Sequence, residues 1–128
     1  MSEIDRMDPG QESQPWSIHR VGVVGMGLIG GSIALDLTQQ GVEVQGLVHR
    51  EVTAERARSR GLAPLVSTDP SCLQDCDLVI LALPLESLLT PEESLLNALP
   101  EQAVVTDVGS VKADVLAVWR DLHPRFVG

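Results

Sequence analysis

The chain has 128 residues, 44% apolar and 21% charged, which is enough for one globular domain with a buried core. Its net charge of −9 argues against a nucleic-acid or membrane-surface partner. No apolar run approaches the ~20 residues that span a bilayer, and the two cysteines, Cys72 and Cys76, match no common zinc or redox spacing.

Residues 1–17 are rich in Ser, Gln, Pro, Asp and Glu without periodicity, and read as a disordered acidic tail with Trp16 packing at its end. The tail does not resemble a secretory signal, so the cytoplasm is the expected compartment. Ile18 to Gly25 reads as the first strand. It runs straight into Gly25-Met26-Gly27-Leu28-Ile29-Gly30-Gly31-Ser32, and Leu28 to Gln40 then reads as a helix. Ile29, Ile33 and Leu37 recur every four residues and predict its apolar face, while Gly41 supplies the stop. Gly25, Gly27 and Gly30 stand at the spacing of a dinucleotide-binding loop. The first allows the tight turn, the second lets backbone approach a pyrophosphate, and the third lets helix pack on strand. The same spacing also occurs in ordinary strand–helix turns that bind nothing.

Val42 to Val48 is the second predicted strand and Val52 to Arg60 a short helix stopped by Gly61. A short strand at Leu65 to Ser67 and a helical turn at Leu73 to Cys76 follow, Pro70 suiting a helix start. Asp77 to Leu83 is the most apolar stretch and suits a central parallel strand buried on both faces. Pro84 ends it. Leu85 to Leu99 is helical in composition, with Pro91 breaking or kinking it. Gln102 to Asp107 reads as the fifth strand, Val111 to Leu122 as a helix carrying Leu116 and Trp119, and Arg125 to Val127 as a sixth strand on which the chain stops. Alternating strands and helices predict an α/β domain over residues 18–128. It is a doubly wound, mostly parallel Rossmann sheet of order 3-2-1-4-5-6, truncated near its sixth strand.

In such a fold an acid at the end of the second strand binds the ribose 2′-hydroxyl of NAD, and an arginine there accepts the 2′-phosphate of NADP. Here the position reads Leu47-Val48-His49-Arg50, with no acid before Glu51. The reading is therefore NADP rather than NAD, with Glu51 as the rival. His49 is placed near the adenine or the phosphate, or is an exposed loop histidine. Arg56, Arg58 and Arg60 read as a solvated helix face with a few ion pairs, and His19 and His123 as structural.

The loop from Gly25 to Ser32 resembles the start of the prephenate and arogenate dehydrogenases of tyrosine biosynthesis. Thr106-Asp107-Val108-Gly109-Ser110-Val111-Lys112 is similar to that family's segment after the fifth strand. Arg125-Phe126-Val127-Gly128 resembles the residues before its His-Pro-Met, and Gly46 to Arg50 its NADP-preferring, arogenate-type members. The resemblance implies an NAD(P)-dependent oxidoreductase that oxidatively decarboxylates a cyclohexadienyl substrate, a histidine accepting the hydroxyl proton. It implies cofactor contacts at Gly25, Met26, Gly27, Leu28, Ile29, Gly30, His49, Arg50, Leu83, Pro84 and Asp107. It also implies a catalytic role for Ser110, binding the reacting hydroxyl; read without the family, Ser110 is a loop serine that turn chemistry explains equally well. Leu83 departs from the small or hydroxylated residue that relatives often carry. The family's catalytic histidine would follow Gly128, and its helical substrate and dimerisation domain would lie beyond. The expectation is thus a cofactor-binding domain inactive by itself, from relatives that are homodimers through the missing part. The alternatives are a stand-alone NAD(P)-binding or sensing module, another Rossmann dehydrogenase, and a structural domain with an unused pocket.

Overall fold

A computed structural model describes residues 18–109 and 112–128. The predicted tail with Trp16, and Ser110 and Val111, lie outside the described residues. Six strands form one all-parallel sheet in the order β3-β2-β1-β4-β5-β6, the predicted Rossmann order. They are β1 (Arg20–Val24), β2 (Glu43–Leu47), β3 (Leu65–Ser67), β4 (Leu78–Leu81), β5 (Val104–Asp107) and β6 (Phe126–Val127). β1 lies at the centre: Val21 pairs with Val44 on one side and with Leu78 on the other. β6 pairs with β5 through Val105 with Phe126 and Thr106 with Val127.

Helices cover both faces. They are α1 (Leu28–Gln39), α2 (Glu51–Ser59), α3 (Leu85–Leu89), α4 (Glu93–Ala98) and α5 (Lys112–Leu122). Side chains alternate across each strand, so the core divides in two. Val21, Val23, Val44 and Ile80 pack with Ala34 of α1 and with Ala54 and Ala57 of α2. Val24, Val79, Leu81 and Val105 pack with Leu88, Leu95, Val115 and Trp119 from α3, α4 and α5. Among the described residues no helix is long and apolar enough to cross a membrane.

The punctuation follows local chemistry. α1 ends in a Schellman motif, the Val42 N–H donating to the Leu37 carbonyl at 3.0 Å and Gly41 N–H to Thr38 at 3.1 Å. Gly41 takes the left-handed φ of 87° that this stop requires. Gly61 closes α2 in the same way, Leu62 donating to Ala57 and Gly61 to Arg58. Pro91 separates α3 from α4.

Two local expectations are corrected. The helical turn predicted at Leu73 to Cys76 is a 3-10 turn at Pro70–Leu73. Asp69 sets its start, accepting the Ser71 N–H at 3.0 Å; that bond holds the Asp69 carboxyl below the usual carboxylate range. The predicted apolar face of α1 is also displaced. Gly30, Gly31 and Ala34 are the buried residues, Ile33 and Leu37 only flank the core, and Ile29 is 60% exposed. Small residues let the helix axis come close to the sheet, and the larger ones are left at the margin.

Candidate functional site

The loop between β1 and α1 is shaped by contacts that only glycine permits. Gly25 takes a φ of 95°, and a Cβ there would strike the Ala82 carbonyl oxygen. Its N–H donates to Leu47 at 2.8 Å, tying the loop to the end of β2. A Cβ on Gly30 would strike the Gly25 carbonyl oxygen. Gly27 is different: nothing lies within 4 Å of where its Cβ would be. It is the N-cap of α1 with no side-chain cap, so no capping side chain covers the positive end of the helix dipole. This is the chemistry that receives a phosphate.

Beside the loop lies an open cleft of about 1040 Å³. One wall is the end of β1 with Gly25 and Met26, and another is the end of β2 with Leu47, Val48, His49 and Arg50. The third is the β4–α3 turn with Leu83 and Pro84, continued by Ser87 of α3 and Thr90 at its end. The cleft therefore opens at the carboxyl ends of the strands, beside the point where the connections leaving β1 and β4 go to opposite faces. Apolar Leu47, Leu83, Pro84 and Leu95 suit a flat base, and a polar rim suits a ribose.

The cleft brings together six of the predicted positions, Gly25, Met26, His49, Arg50, Leu83 and Pro84. Gly27 and Leu28 border a second, smaller pocket on the other side of the loop. Leu28 is 92% exposed, and Gly30 serves packing. Asp107, 5% exposed at the end of β5, accepts the Gly109 N–H at 2.9 Å and so shapes the loop leading to Ser110. Ser110 itself lies outside the described residues.

Arg50 is the N-cap of α2: its carbonyl accepts the Thr53 and Ala54 N–H groups, and its side chain makes no capping bond. A cation at a helix N-terminus opposes the dipole, and arginine is a poor cap, so local stability does not account for this residue. Glu51, the rival for the ribose, is held elsewhere: its carboxylate receives Arg58 Nη1 at 2.8 Å. It lines neither pocket. His49 Nδ1 stands 3.6 Å from the Glu92 carboxylate across the cleft mouth.

Sequence reasoning missed Thr53, Thr68, Ser87, Thr90 and Glu92 as cleft residues. Only their positions just after predicted strands or near prolines pointed to them. His123 has partners that the sequence concealed. Its Nδ1 accepts the Arg125 N–H at 3.1 Å, so Nε2 donates to the Pro100 carbonyl at 2.8 Å. It sits at the opposite edge of the sheet from the cleft, as expected.

Residues 33–128 match the family model for the nucleotide-binding domain of prephenate dehydrogenase. That span begins beyond Gly30, so the glycine loop is an independent observation. Cyclohexadienyl dehydrogenase of Zymomonas mobilis is 27% identical over 110 residues, which are 84% of this chain and 38% of that protein. The crystal structure of Synechocystis arogenate dehydrogenase is 35% identical with a TM-score of 0.69, over 78% of this chain and 37% of that one. The structure of prephenate dehydrogenase from A. aeolicus in complex with hydroxyphenyl propionate and NAD+ is 29% identical with a TM-score of 0.75, over 86% and 40%. The chain thus spans about two fifths of the length of these relatives.

Proposed function

The chain belongs to the prephenate dehydrogenase family, whose nucleotide-binding domain it carries, and on that premise we propose that it binds NADP for the oxidative decarboxylation of arogenate or prephenate. When bound, the nicotinamide supplies the hydride acceptor. This chain's residues bind and orient the dinucleotide. Gly27 and the first turn of α1 receive the pyrophosphate, the β2 and β4 ends enclose the adenosine, and Arg50 selects the 2′-phosphate.

The observation that carries the choice of NADP is the pair Arg50 and Glu51. The arginine lines the cleft and its side chain takes no part in capping α2, while the carboxylate that would serve NAD is bound to Arg58. An arginine–phosphate pair is bidentate and charge-assisted. The NAD+ complex of the A. aeolicus relative favours the other cofactor, so the two must be compared directly.

Ser110 is proposed to bind the reacting hydroxyl. In support, Asp107 fixes Gly109 at the carboxyl edge of β5, one residue before it. None of the described histidines suits the proton acceptor: His19 precedes β1 at the far edge, His123 is engaged there through both ring nitrogens, and His49 sits on the rim beside Arg50. We therefore expect these 128 residues alone to bind the dinucleotide without turnover. Calorimetric titration with NADP and with NAD tests the reading. Tighter binding of NADP supports it. Equal or tighter binding of NAD overturns the cofactor choice, and no binding of either by a chain folded by circular dichroism overturns the site.

A further inference from the structure

Of the four arginines between residues 50 and 60, Arg58 is held by the Glu51 carboxylate and the Val66 carbonyl. Among the described residues Arg50, Arg56 and Arg60 make no ion pair, in a chain whose net charge is −9. Acidic residues are abundant, yet none of the described ones pairs with these three guanidinium groups.

All three border pockets. Arg50 lines the main cleft, while Arg56 and Arg60 line the second pocket of about 400 Å³ between α1 and α2. Met26 and Thr53 line both cavities, so the two meet across that pair. Gly27, with open space at its Cβ position, and Ser32 also line the smaller one. Arg56 lies one turn beyond Thr53 on the same helix face. Side chains on a helix lean toward its N-terminus, which directs Arg56 toward Thr53 and Arg50. Arg60 stands a further turn away.

We propose that the second pocket is the subsite for the phosphate monoester on the adenosine ribose, read by Arg56 and Thr53 together with Arg50. A dianion needs more than one cation, and a fork approaching from each side of Met26 meets its oxygens in two directions. The inference rests on the NADP reading and adds Arg56 as a specificity-determining residue that the sequence alone left as a solvated helix face.

The test is calorimetric titration of the 128-residue chain with NADP and with NAD, for wild type, Arg50→Ala, Arg56→Ala and Arg60→Ala, each checked by circular dichroism. The expected result is that Arg56→Ala weakens NADP binding about tenfold and leaves NAD binding within about twofold. Arg60→Ala should lose far less. A wild type that prefers NADP, and loses that preference only in Arg50→Ala, overturns this inference and leaves the NADP reading standing. Equal losses in Arg56→Ala and Arg60→Ala also overturn it, because a general positive field then explains the effect. A wild type without NADP preference removes both readings.

Discussion

A Cβ on Gly30 would collide with the carbonyl oxygen of Gly25, so loop and helix meet backbone to backbone. The third glycine of the loop is therefore a packing residue, whereas the second, Gly27, has open space above it.

The two glycines should fail differently. Gly30→Ala forces backbone to move and should cost about 1–3 kcal/mol of stability, as overpacking does. Gly27→Ala should stay within about 1 kcal/mol of wild type yet weaken dinucleotide binding, since the added methyl fills the phosphate's approach. Urea unfolding and calorimetry on both variants separate the effects; equal destabilisation would contradict the assignment.

Arg50 and Glu51 are adjacent but should behave oppositely. Arg50→Ala should weaken NADP binding roughly tenfold to hundredfold, the worth of one or two charge-assisted hydrogen bonds, with NAD binding little changed. Glu51→Gln should leave both affinities unaltered, because its carboxylate serves Arg58. Loss of NAD affinity in Glu51→Gln would show that Glu51 reaches the ribose after all.

Trp119 ties α5 to α3, the helix that borders the cleft. Its indole N–H donates to the Leu88 carbonyl at 2.8 Å, and its ring stacks on Phe126 with centroids 5.6 Å apart. Leu88 belongs to α3, which carries the Ser87 side of the cleft. Trp119→Phe strands the Leu88 carbonyl in the core and should cost about 1–3 kcal/mol. Trp119→Ala should cost about 3–5 kcal/mol. Thermal unfolding measures both, and a neutral Trp119→Phe would mean that water replaces the lost donor.

The two thiols predict alkaline sensitivity. Burial pushes Cys72 and Cys76 up from the ordinary 9.0 to about 11. The folded chain keeps the thiol protons that the unfolded chain releases. Stability is therefore full below pH 9.0 and falls as pH rises toward about 11. Urea midpoints across that window should decline, and less so in a Cys72→Ala, Cys76→Ala double variant. Native thiols should also react slowly with iodoacetamide at neutral pH; rapid labelling would refute the burial argument.

Sequence patterns disclosed the strand order, the glycine loop, the stops at Gly41 and Gly61 and the break at Pro91, because each depends on backbone rules that act over a few residues. The buried face of α1 was not legible in the same way. Gly30 and Gly31 have no side chain to register in an apolar pattern, yet they are where the helix comes closest to its neighbours. The facing of His49 and Glu92 joins segments that only the folded sheet brings together. The same is true of Thr68 and Ser87, which become cleft residues through the parallel alignment of β3 and β4 with β1 and β2. His123 looked unpartnered because one of its partners, Pro100, is a backbone carbonyl preceding β5.

The central position of β1 has a consequence for biosynthesis. Of the six strands of the sheet it is the first to be made, but one of its edges is satisfied only when Leu78 to Leu81 have followed. At about 5–20 residues per second the delay after β2 is on the order of seconds. During it, Val21, Val23 and Val24 belong to an unfinished sheet that can pair with any other extended chain. Slow translation ahead of Leu78 would prolong that exposure, so codon usage over residues 48–77 bears on soluble yield independently of the stability of the finished domain.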